Sequence, residues 1–406
     1  MAKLSDWAFQ IIMILNNKKI VLGVTGGIAA YKALELARLF IKNEAEVWPI
    51  MTKASANFIT PLSMQTIARN PVSQDMFDLT LEAKISHIEL AEKADLIVIA
   101  PATANIIGKI SSGIADDLLT TVIMATKSPV LFAPAMNSNM YENKIVQQNI
   151  ERLKKIGYCF IGPDEGELAC GYEGRGRLAS LEDIIDAAEE CLAPKDLKGQ
   201  KVLVTAGPTR EAIDPVRFIS NPSSGKMGYA IAKAAKRRGA EVVLVSGPSY
   251  LSPPRGITFV KTITAEEMAE ATMRHYPQST IVIMAAAVSD YRPKISHRRK
   301  VKKEETRLNI ELERTQDILK ELGNRKRGQF LVGFALETED MLTNARKKLK
   351  EKKLDLIVAN DPSSFDGETT RVTVVEKDDM VEELPPLSKN EVAERILDKV
   401  VRTISA

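Results

Sequence analysis

Gly23-Val24-Thr25-Gly26-Gly27-Ile28 joins an apolar run, Lys19 to Val24, to a helical pattern from Ile28 to Lys42. A strand that passes through a glycine turn into a helix is the first half of a βαβ unit. The apolar run Glu46 to Met51 then supplies the second strand. Such a turn aims backbone N–H groups and the positive end of the helix dipole at one point, where an anion is stabilised. The second half of the chain repeats the pattern. Lys201 to Thr205 reads as a strand, and Asn221-Pro222-Ser223-Ser224-Gly225-Lys226-Met227-Gly228 leads into a helix from Gly228 to Arg238. Two anion-binding turns in 406 residues suggest two fused enzymes rather than one enzyme with a lid.

Working outward from the first turn, Asp95 to Ala100 and Val130 to Ala133 are short apolar runs that end in Pro101 and Pro134. Helical patterns from Ala104 to Ala125 and from Lys144 to Ile156 separate the runs, and Ser180 to Cys191 reads as a closing helix. Strands alternating with helices predict a parallel sheet with right-handed crossovers. Ala193-Pro194-Lys195-Asp196-Leu197-Lys198-Gly199-Gln200 is polar and marked by proline and glycine. It sets the expected boundaries: a domain over 1–192, a linker over 193–200 and a domain over 201–406. In the second domain Glu241 to Ser246, Ile281 to Met284, Phe330 to Phe334 and Leu354 to Ala359 continue the strand series. Thr338 to Lys353 reads as a basic helix, Thr370 to Val375 with the turn Lys377-Asp378-Asp379 as a hairpin, and Asn390 to Arg402 as the last helix. The expected fold class is α/β, with two Rossmann-like three-layer domains.

Composition excludes several functions. A net charge of +3 offers no global basic field for nucleic acid. Cys159, Cys170 and Cys191 are the only cysteines and form no CxxC pair, which argues against a disulfide framework or a zinc site. The three histidines, His87, His275 and His297, are too few and too dispersed for a histidine-rich metal centre. No apolar run reaches membrane-spanning length, and the opening residues lack the basic region and cleavage site of a signal peptide. The expectation is a cytoplasmic protein with neither a membrane nor a nucleic acid as partner.

The first turn is not a dinucleotide site. Its spacing is not GxGxxG, and the second strand ends in Met51-Thr52-Lys53 without the acidic residue that holds a ribose. A hydroxyl and a lysine suit a phosphate monoester, as in flavin mononucleotide (FMN). Gly26, Gly27, Ile28 and Thr52 are therefore candidate cofactor contacts. Pro101-Ala102-Thr103-Ala104-Asn105 and Pro134-Ala135-Met136-Asn137 each follow a strand, at the carboxyl edge where open α/β sheets bind ligands. Thr103, Ala104 and Asn105 join the cofactor set.

Taken in order, Gly26-Gly27-Ile28-Ala29-Ala30-Tyr31-Lys32, His87-Ile88-Glu89-Leu90, the two proline-led loops and Ala169-Cys170-Gly171 resemble the homo-oligomeric flavin-containing cysteine decarboxylases. The resemblance implies a flavodoxin-like flavin decarboxylase domain with His87, Asn137 and Cys170 in its active site. The chemistry needs such groups. A cysteinyl carboxylate has no electron sink until the thiol end is oxidised by flavin; CO₂ can then leave, and the product must be reduced and protonated. Imidazole titrates nearest neutrality of all side chains, which suits His87 to shuttle a proton. An amide at Asn137 can hold the substrate carboxylate. Cys170, in the glycine-rich Cys170-Gly171-Tyr172-Glu173-Gly174-Arg175-Gly176-Arg177, suits a proton donor, whereas Cys159 and Cys191 read as packing residues.

The second turn is not a P-loop. Ser220 stands where the first glycine belongs, and Met227 replaces the magnesium-binding hydroxyl. It is an anion nest of another kind, with Ser223, Ser224 and backbone amides as donors. The string from Ala206-Gly207-Pro208-Thr209-Arg210 through Asp214-Pro215-Val216-Arg217-Phe218-Ile219-Ser220-Asn221 to Lys226-Met227-Gly228 resembles phosphopantothenate–cysteine ligase. So do Ala285-Ala286-Ala287-Val288-Ser289-Asp290-Tyr291-Arg292, Gly333-Phe334-Ala335-Leu336-Glu337-Thr338 and Ala359-Asn360-Asp361. Together the halves resemble the bifunctional enzymes of coenzyme A biosynthesis, from Lys18 onward. The resemblance implies phosphopantothenate, cysteine and CTP as substrates, an acyl-cytidylate intermediate, and Mg²⁺ on ligands that the sequence leaves unknown. It assigns Asn221 to the acyl-cytidylate, Arg217 to a nearby basic role and Lys300, within Arg298-Arg299-Lys300-Val301-Lys302-Lys303, to the triphosphate. Asp290, Asp317, Ile318, Phe334, Lys348 and Lys352 match nucleotide-contacting positions. Thr315-Gln316-Asp317-Ile318 departs from the family's Asn-Pro-Asp-Ile and leaves CTP against ATP open. The resemblance further implies a homo-oligomer, with trimer-based decarboxylase assemblies and dimeric ligase contacts. Two other readings stand beside it: a flavin decarboxylase of another cysteinyl substrate with a degenerate ligase half, and a flavin-binding regulatory subunit without turnover.

Overall fold

The computed structural model describes residues 14–76, 87–167, 171, 173–301, 309–336, 340–360 and 369–405. The chain forms two compact units, Met1–Ala193 and Pro194–Ala406.

The first unit runs β1 (Lys19–Val24), α1 (Tyr31–Lys42), β2 (Glu46–Met51), α2 (Pro61–Ala68), α3 (His87–Lys93), β3 (Leu96–Ala102) and α4 (Ala104–Ser111). It continues α5 (Leu118–Ala125), β4 (Val130–Pro134), α6 (Ser138–Glu142), α7 (Lys144–Lys155), β5 (Cys159–Phe160), β6 (Asp164–Glu167), β7 (Glu173–Arg177) and α8 (Leu181–Leu192). Five strands form a parallel sheet in the order β2-β1-β3-β4-β5. Both faces of the sheet are covered, which is why its strands read as unbroken apolar runs. Ile20, Leu22, Val24, Leu96, Val98 and Ala100 pack with α1 and α8 on one side. Val21, Ile97 and Ile99 point the other way, against α4, α5 and α7. Cys159 and Cys191 pack at the margin of the first of these cores, as expected.

The helical pattern from Ala104 to Ala125 is two helices, not one. Gly113 takes φ +72°, a left-handed conformation that ends a helix and suits glycine. Asp117 then starts α5 with a reciprocal cap: its carboxylate accepts from Thr120 N at 2.8 Å while the Thr120 hydroxyl takes the Asp117 N–H at 3.1 Å. The periodic apolar residues on both sides of this break hid it.

The second unit runs β8 (Lys201–Ala206), β9 (Arg210–Ala212), β10 (Phe218–Ser220), α9 (Lys226–Arg237), β11 (Glu241–Ser246), β12 (Thr258–Lys261), α10 (Ala265–His275) and β13 (Ile281–Met284). Next come β14 (Tyr291–Pro293), β15 (Leu312–Arg314), α11 (Ile318–Arg325), β16 (Phe330–Leu336), α12 (Met341–Glu351) and β17 (Leu356–Asn360). The last elements are β18 (Thr369–Thr370), β19 (Val372–Glu376), β20 (Val381–Glu383), β21 (Leu387–Ser388) and α13 (Lys389–Ser405). The main sheet has the order β12-β11-β8-β13-β16-β17-β19-β20. It is parallel as far as β17, and the late hairpin closes it with antiparallel strands. β12 and α10 were not read from the sequence. Arg238, whose side chain is 3% exposed, bonds Asp196 at 2.6 Å and both Glu394 and Asp398 of α13, at 3.4 and 2.7 Å.

Candidate functional sites

In the first unit β1 lies between β2 and β3, so the chain leaves it in one direction and returns in the other. Ligands of open α/β sheets bind in the crevice outside such a point. A cleft of about 1340 Å³ lies there, lined by residues that follow β1, β2, β3 and β4. Gly26, Gly27, Ile28, Thr52, Thr103, Ala104, Asn105 and Asn137 all line it.

Local bonds hold this rim. The Thr25 hydroxyl donates to Pro101 O at 2.7 Å and accepts from Thr103 N at 3.3 Å, latching the ends of β1 and β3 together. Gly26 lies so close to Ala54 that a Cβ on it would fall 2.4 Å from the Ala54 Cβ. No side chain caps the short 3-10 turn Ile28–Ala30 that leads into α1. Thr52 accepts from Ser55 N at 3.4 Å and Thr103 caps α4. Lys109, Asp116 and Asp117 also line the cleft and form ion pairs of 2.7 and 3.4 Å. The Asp116 carboxylate raises the Lys109 pKa against the cost of burial. The sequence reading missed this trio because its charges sit inside the supposed single helix.

The Pro134-Ala135-Met136-Asn137 loop and the glycine-rich segment meet. Asn137 is exposed, and its Oδ1 accepts from Asn139 N at 2.9 Å as it starts α6. β6 and β7 pair antiparallel, and Gly176 O accepts from Met136 N at 3.0 Å. A Cβ on Gly176 would lie 2.2 Å from Met136 O, and one on Gly174 would lie 2.4 Å from Ser138 Oγ. The glycines thus let a strand lie directly on the Asn137 loop. Gly171, Gly176 and Arg177 reach the cleft. Cys170 lies outside the described residues. His87 opens α3, half-buried, and is not among the residues lining the cleft.

In the second unit β8 is the strand where the order turns, with β11 on one side and β13 on the other. Three glycines crowd its carboxyl end. Gly225 begins α9 at φ +82° with no side-chain cap, 3.1 Å by its ideal Cβ from Gly207 N. A Cβ on Gly247 would meet Pro208 O at 1.7 Å. Backbone amides at the start of α9 therefore face a cradle that only bare backbone can form.

The structure brings the expected residues of this unit together in groups. Asn221 Nδ2 donates to Ala287 O at 3.3 Å and Val288 O at 3.1 Å, beside Asp290 in the loop after β13. Arg217 is joined to Val301, the residue after Lys300: its Nη2 donates to Val301 O at 3.0 Å. Lys300 itself is exposed. Lys352 pairs with Asp317 at 2.8 Å. Burial opposes the charge on Asp317, but the Lys352 ammonium and the Lys320 amide outweigh it and lower its pKa. Thr315 links the groups, donating from N to Asp290 O at 3.0 Å and from Oγ1 to Ser289 O at 2.5 Å. Ile318 is buried in the core, Phe334 is half-buried on β16, and Lys348 stands one turn before Lys352 on α12.

In this unit the sequence reading quoted Asp214 within the ligase-like string but gave it no role. Its Oδ1 accepts from Val216 N and Arg217 N, each at 2.9 Å, and its Oδ2 from Arg217 Nε at 3.0 Å and Val301 N at 3.2 Å. The Arg217 guanidinium holds this carboxyl well below the usual carboxylate range, against the cost of burial. Beyond its place in that string, the Asp-Pro pair was the signal, since aspartate before proline favours a side-chain-closed turn. Among the described residues no cluster of three or more His, Cys, Asp or Glu side chains is arranged to hold a metal ion.

The chain has two α/β units, each with a glycine-built turn at the carboxyl end of the strand where its sheet order turns. Residues 13–192 match the flavoprotein family, and residues 197–404 match the family described as DNA/pantothenate metabolism flavoprotein, C-terminal domain. The coenzyme A biosynthesis bifunctional protein CoaBC of Bacillus subtilis is 49% identical over 394 residues, 95% of this chain and 97% of that one. Its counterpart in Escherichia coli is 44% identical over 399 residues, 96% and 98% of the two chains. A crystal structure of the C-terminal domain of such a protein is 50% identical, covering 52% of this chain and 98% of that one, with a TM-score of 0.47. The chain belongs to the family of coenzyme A biosynthesis bifunctional proteins.

Proposed function

We propose that residues 201–406 join phosphopantothenate to cysteine with CTP, and that residues 1–192 then decarboxylate the product on FMN to give phosphopantetheine, the two being connected by residues 193–200. The chain is an enzyme of coenzyme A biosynthesis with decarboxylase and ligase activities. The observation that carries the finer reading is the first-unit cleft: one cavity gathers the glycine turn, both proline-led loops and the glycine-rich hairpin.

The residues present fit a flavin mononucleotide. Gly26 can carry no side chain, and Gly27 and Ile28 open the 3-10 turn that leads into α1, where a phosphate would sit. Ala104, Ile106, Leu118, Leu119 and Met136 give the same cleft apolar walls for a flat ring. Bound there, FMN supplies the two-electron oxidation that makes the carboxylate a leaving group. The chain's own residues do the rest. Asn137 orients the substrate carboxylate, and the hairpin over it keeps out water. His87, which does not line the cleft of its own chain, moves the thiol proton at the cleft of a neighbouring copy, and Cys170 Sγ delivers a proton to the product carbon. Ile28, Tyr31 and Met140 line the cleft yet are 59, 57 and 50% exposed, which supports a neighbouring copy covering that rim in a homo-oligomer built on trimers.

In the second unit the substrate carboxylate attacks the α-phosphorus of CTP, pyrophosphate leaves, and the cysteine amine displaces CMP. Arg217 and Lys300 stabilise the charge developing on the phosphoryl oxygens. Asn221 holds the acyl group, and Asp290, Asp317, Phe334, Lys348 and Lys352 hold the nucleotide. Mg²⁺ would supply charge neutralisation on the triphosphate; among the described residues no carboxylate cluster is arranged to hold it, so it would enter with the nucleotide. Among the described residues no helix is long and apolar enough to cross a membrane, which is consistent with a cytoplasmic enzyme.

The test is a product assay with phosphopantothenate, cysteine and each nucleoside triphosphate in turn. CTP should give CMP, pyrophosphate, CO₂ and phosphopantetheine from a yellow protein. Equal turnover with ATP would overturn the nucleotide assignment. A colourless protein that cannot be reconstituted with FMN would overturn the first-unit site.

A further inference from the structure

We infer that Asp214 is a positioning residue for ligation, holding Arg217 and the Lys300 segment in one fixed register. The inference rests on the roles given above to Arg217 and Lys300. A turn begun by Asp-Pro needs only Oδ1, which takes the Val216 and Arg217 amides. The second oxygen does something the turn does not require. It receives Arg217 Nε and Nη2 and, from 87 residues further along the chain, Val301 N. Val301 O accepts from Arg217 Nη2 at 3.0 Å, so one peptide segment is clasped at both its N–H and its C=O. A second pin lies next to the first, where His297 N donates to Ile213 O at 2.9 Å.

Arg298, Arg299 and Lys300, all exposed, thus span two pins fixed on Ile213 and Asp214. The Asp214 side chain has no solvent exposure, and its donors occupy the accepting capacity of a carboxylate. Its bonds use Nε and Nη2 of Arg217, which fixes the guanidinium plane while Nη1 takes no part in them. One buried carboxylate therefore sets both the plane of the arginine and the starting point of the lysine's segment. Geometry held this way costs no reorganisation at the moment of reaction.

Asp214→Asn in the full chain keeps an oxygen for the turn but puts a donor where Val301 N and the guanidinium need an acceptor. Pyrophosphate release driven by phosphopantothenate and CTP should fall about 10- to 100-fold, the size expected for lost charged hydrogen bonds. The loss should fall in kcat rather than in the KM for cysteine. Decarboxylation of supplied phosphopantothenoylcysteine should be unchanged. Trypsin should cut the ligand-free native protein after Arg298, Arg299 or Lys300 several-fold faster than wild type. Combined with Lys300→Gln, Asp214→Asn should cost less than it does alone, because both act through one segment. Unchanged trypsin cutting, or full additivity with Lys300→Gln, overturns the inference. Should Asp214→Asn fail to fold, Val301→Pro removes the amide donor and leaves the carboxylate intact; trypsin does not cut a Lys–Pro bond, so the faster cutting is expected after Arg298 and Arg299 only, and its absence there counts against the tether. A wild-type chain that releases no pyrophosphate sinks the ligase reading instead, and the trypsin comparison still decides whether Asp214 pins the segment.

Discussion

At the scale of single residues, Gly176 and Asp214 show how little a sequence motif says about its own cause. Gly176 has no room for a side chain, since its Cβ would stand 2.2 Å from Met136 O. Gly176→Ala must lift the hairpin off the Asn137 loop, at a cost of about 1–3 kcal/mol for such overpacking. Decarboxylation should slow by about 10-fold or more through lost positioning, with ligation by the same preparation unaltered. Equal rates in both assays would show that the hairpin does not organise the loop. Asp214 bears on acid stability. Its folded pKa lies below the unfolded value of about 4, because the Arg217 guanidinium favours the charged form. Such a carboxylate stabilises the fold fully above that unfolded value, and the contribution is lost as pH falls toward the depressed folded value. Urea unfolding of wild type should therefore weaken more steeply below about pH 4 than that of Asp214→Asn. Parallel slopes would contradict the assignment.

At the scale of elements, the glycine cradle of the second unit carries its own prediction. Gly247→Ala drives a methyl onto Pro208 O. It should lower the denaturation midpoint by the equivalent of about 1–3 kcal/mol and raise the KM for CTP, while flavin absorbance stays unchanged. An unchanged KM would mean that the cradle does not hold the nucleotide. Elements were legible wherever burial on both faces forced continuous apolar runs. Lys19–Val24, Glu46–Met51, Glu241–Ser246 and Ile281–Met284 have the expected bounds. They were not legible where a break or an edge carries no apolar contrast. Gly113 splits an apolar helical stretch, and β12, exposed at the edge of its sheet, reads Thr-Phe-Val-Lys with little alternation. The cleft residues were readable because strand-end loops converge by topology alone. Lys109, Asp116 and Asp214 were not, because their significance lies in partners that only folding brings near.

At the scale of the whole molecule, two compact units with separate anion cradles imply separable chemistry. Asn221→Asp should reduce ligation by about 10-fold or more, since a carboxylate there repels the acyl-phosphate that the amide is proposed to hold. Decarboxylation of supplied phosphopantothenoylcysteine should persist at the wild-type rate. Parallel loss of both activities would point to a single shared site. The Arg238 cluster has a different consequence. Asp196, near the start of the second unit, and Asp398, in its last helix, grip the same guanidinium. Beyond Asp398 the helix has only about 10 Å left to run. The stretch before β8 and helix α13 are therefore tied through one buried side chain. Cutting that knot with Arg238→Ala sets Asp196 and Asp398 loose together, so the entry into this unit and its α13 should fray as a pair.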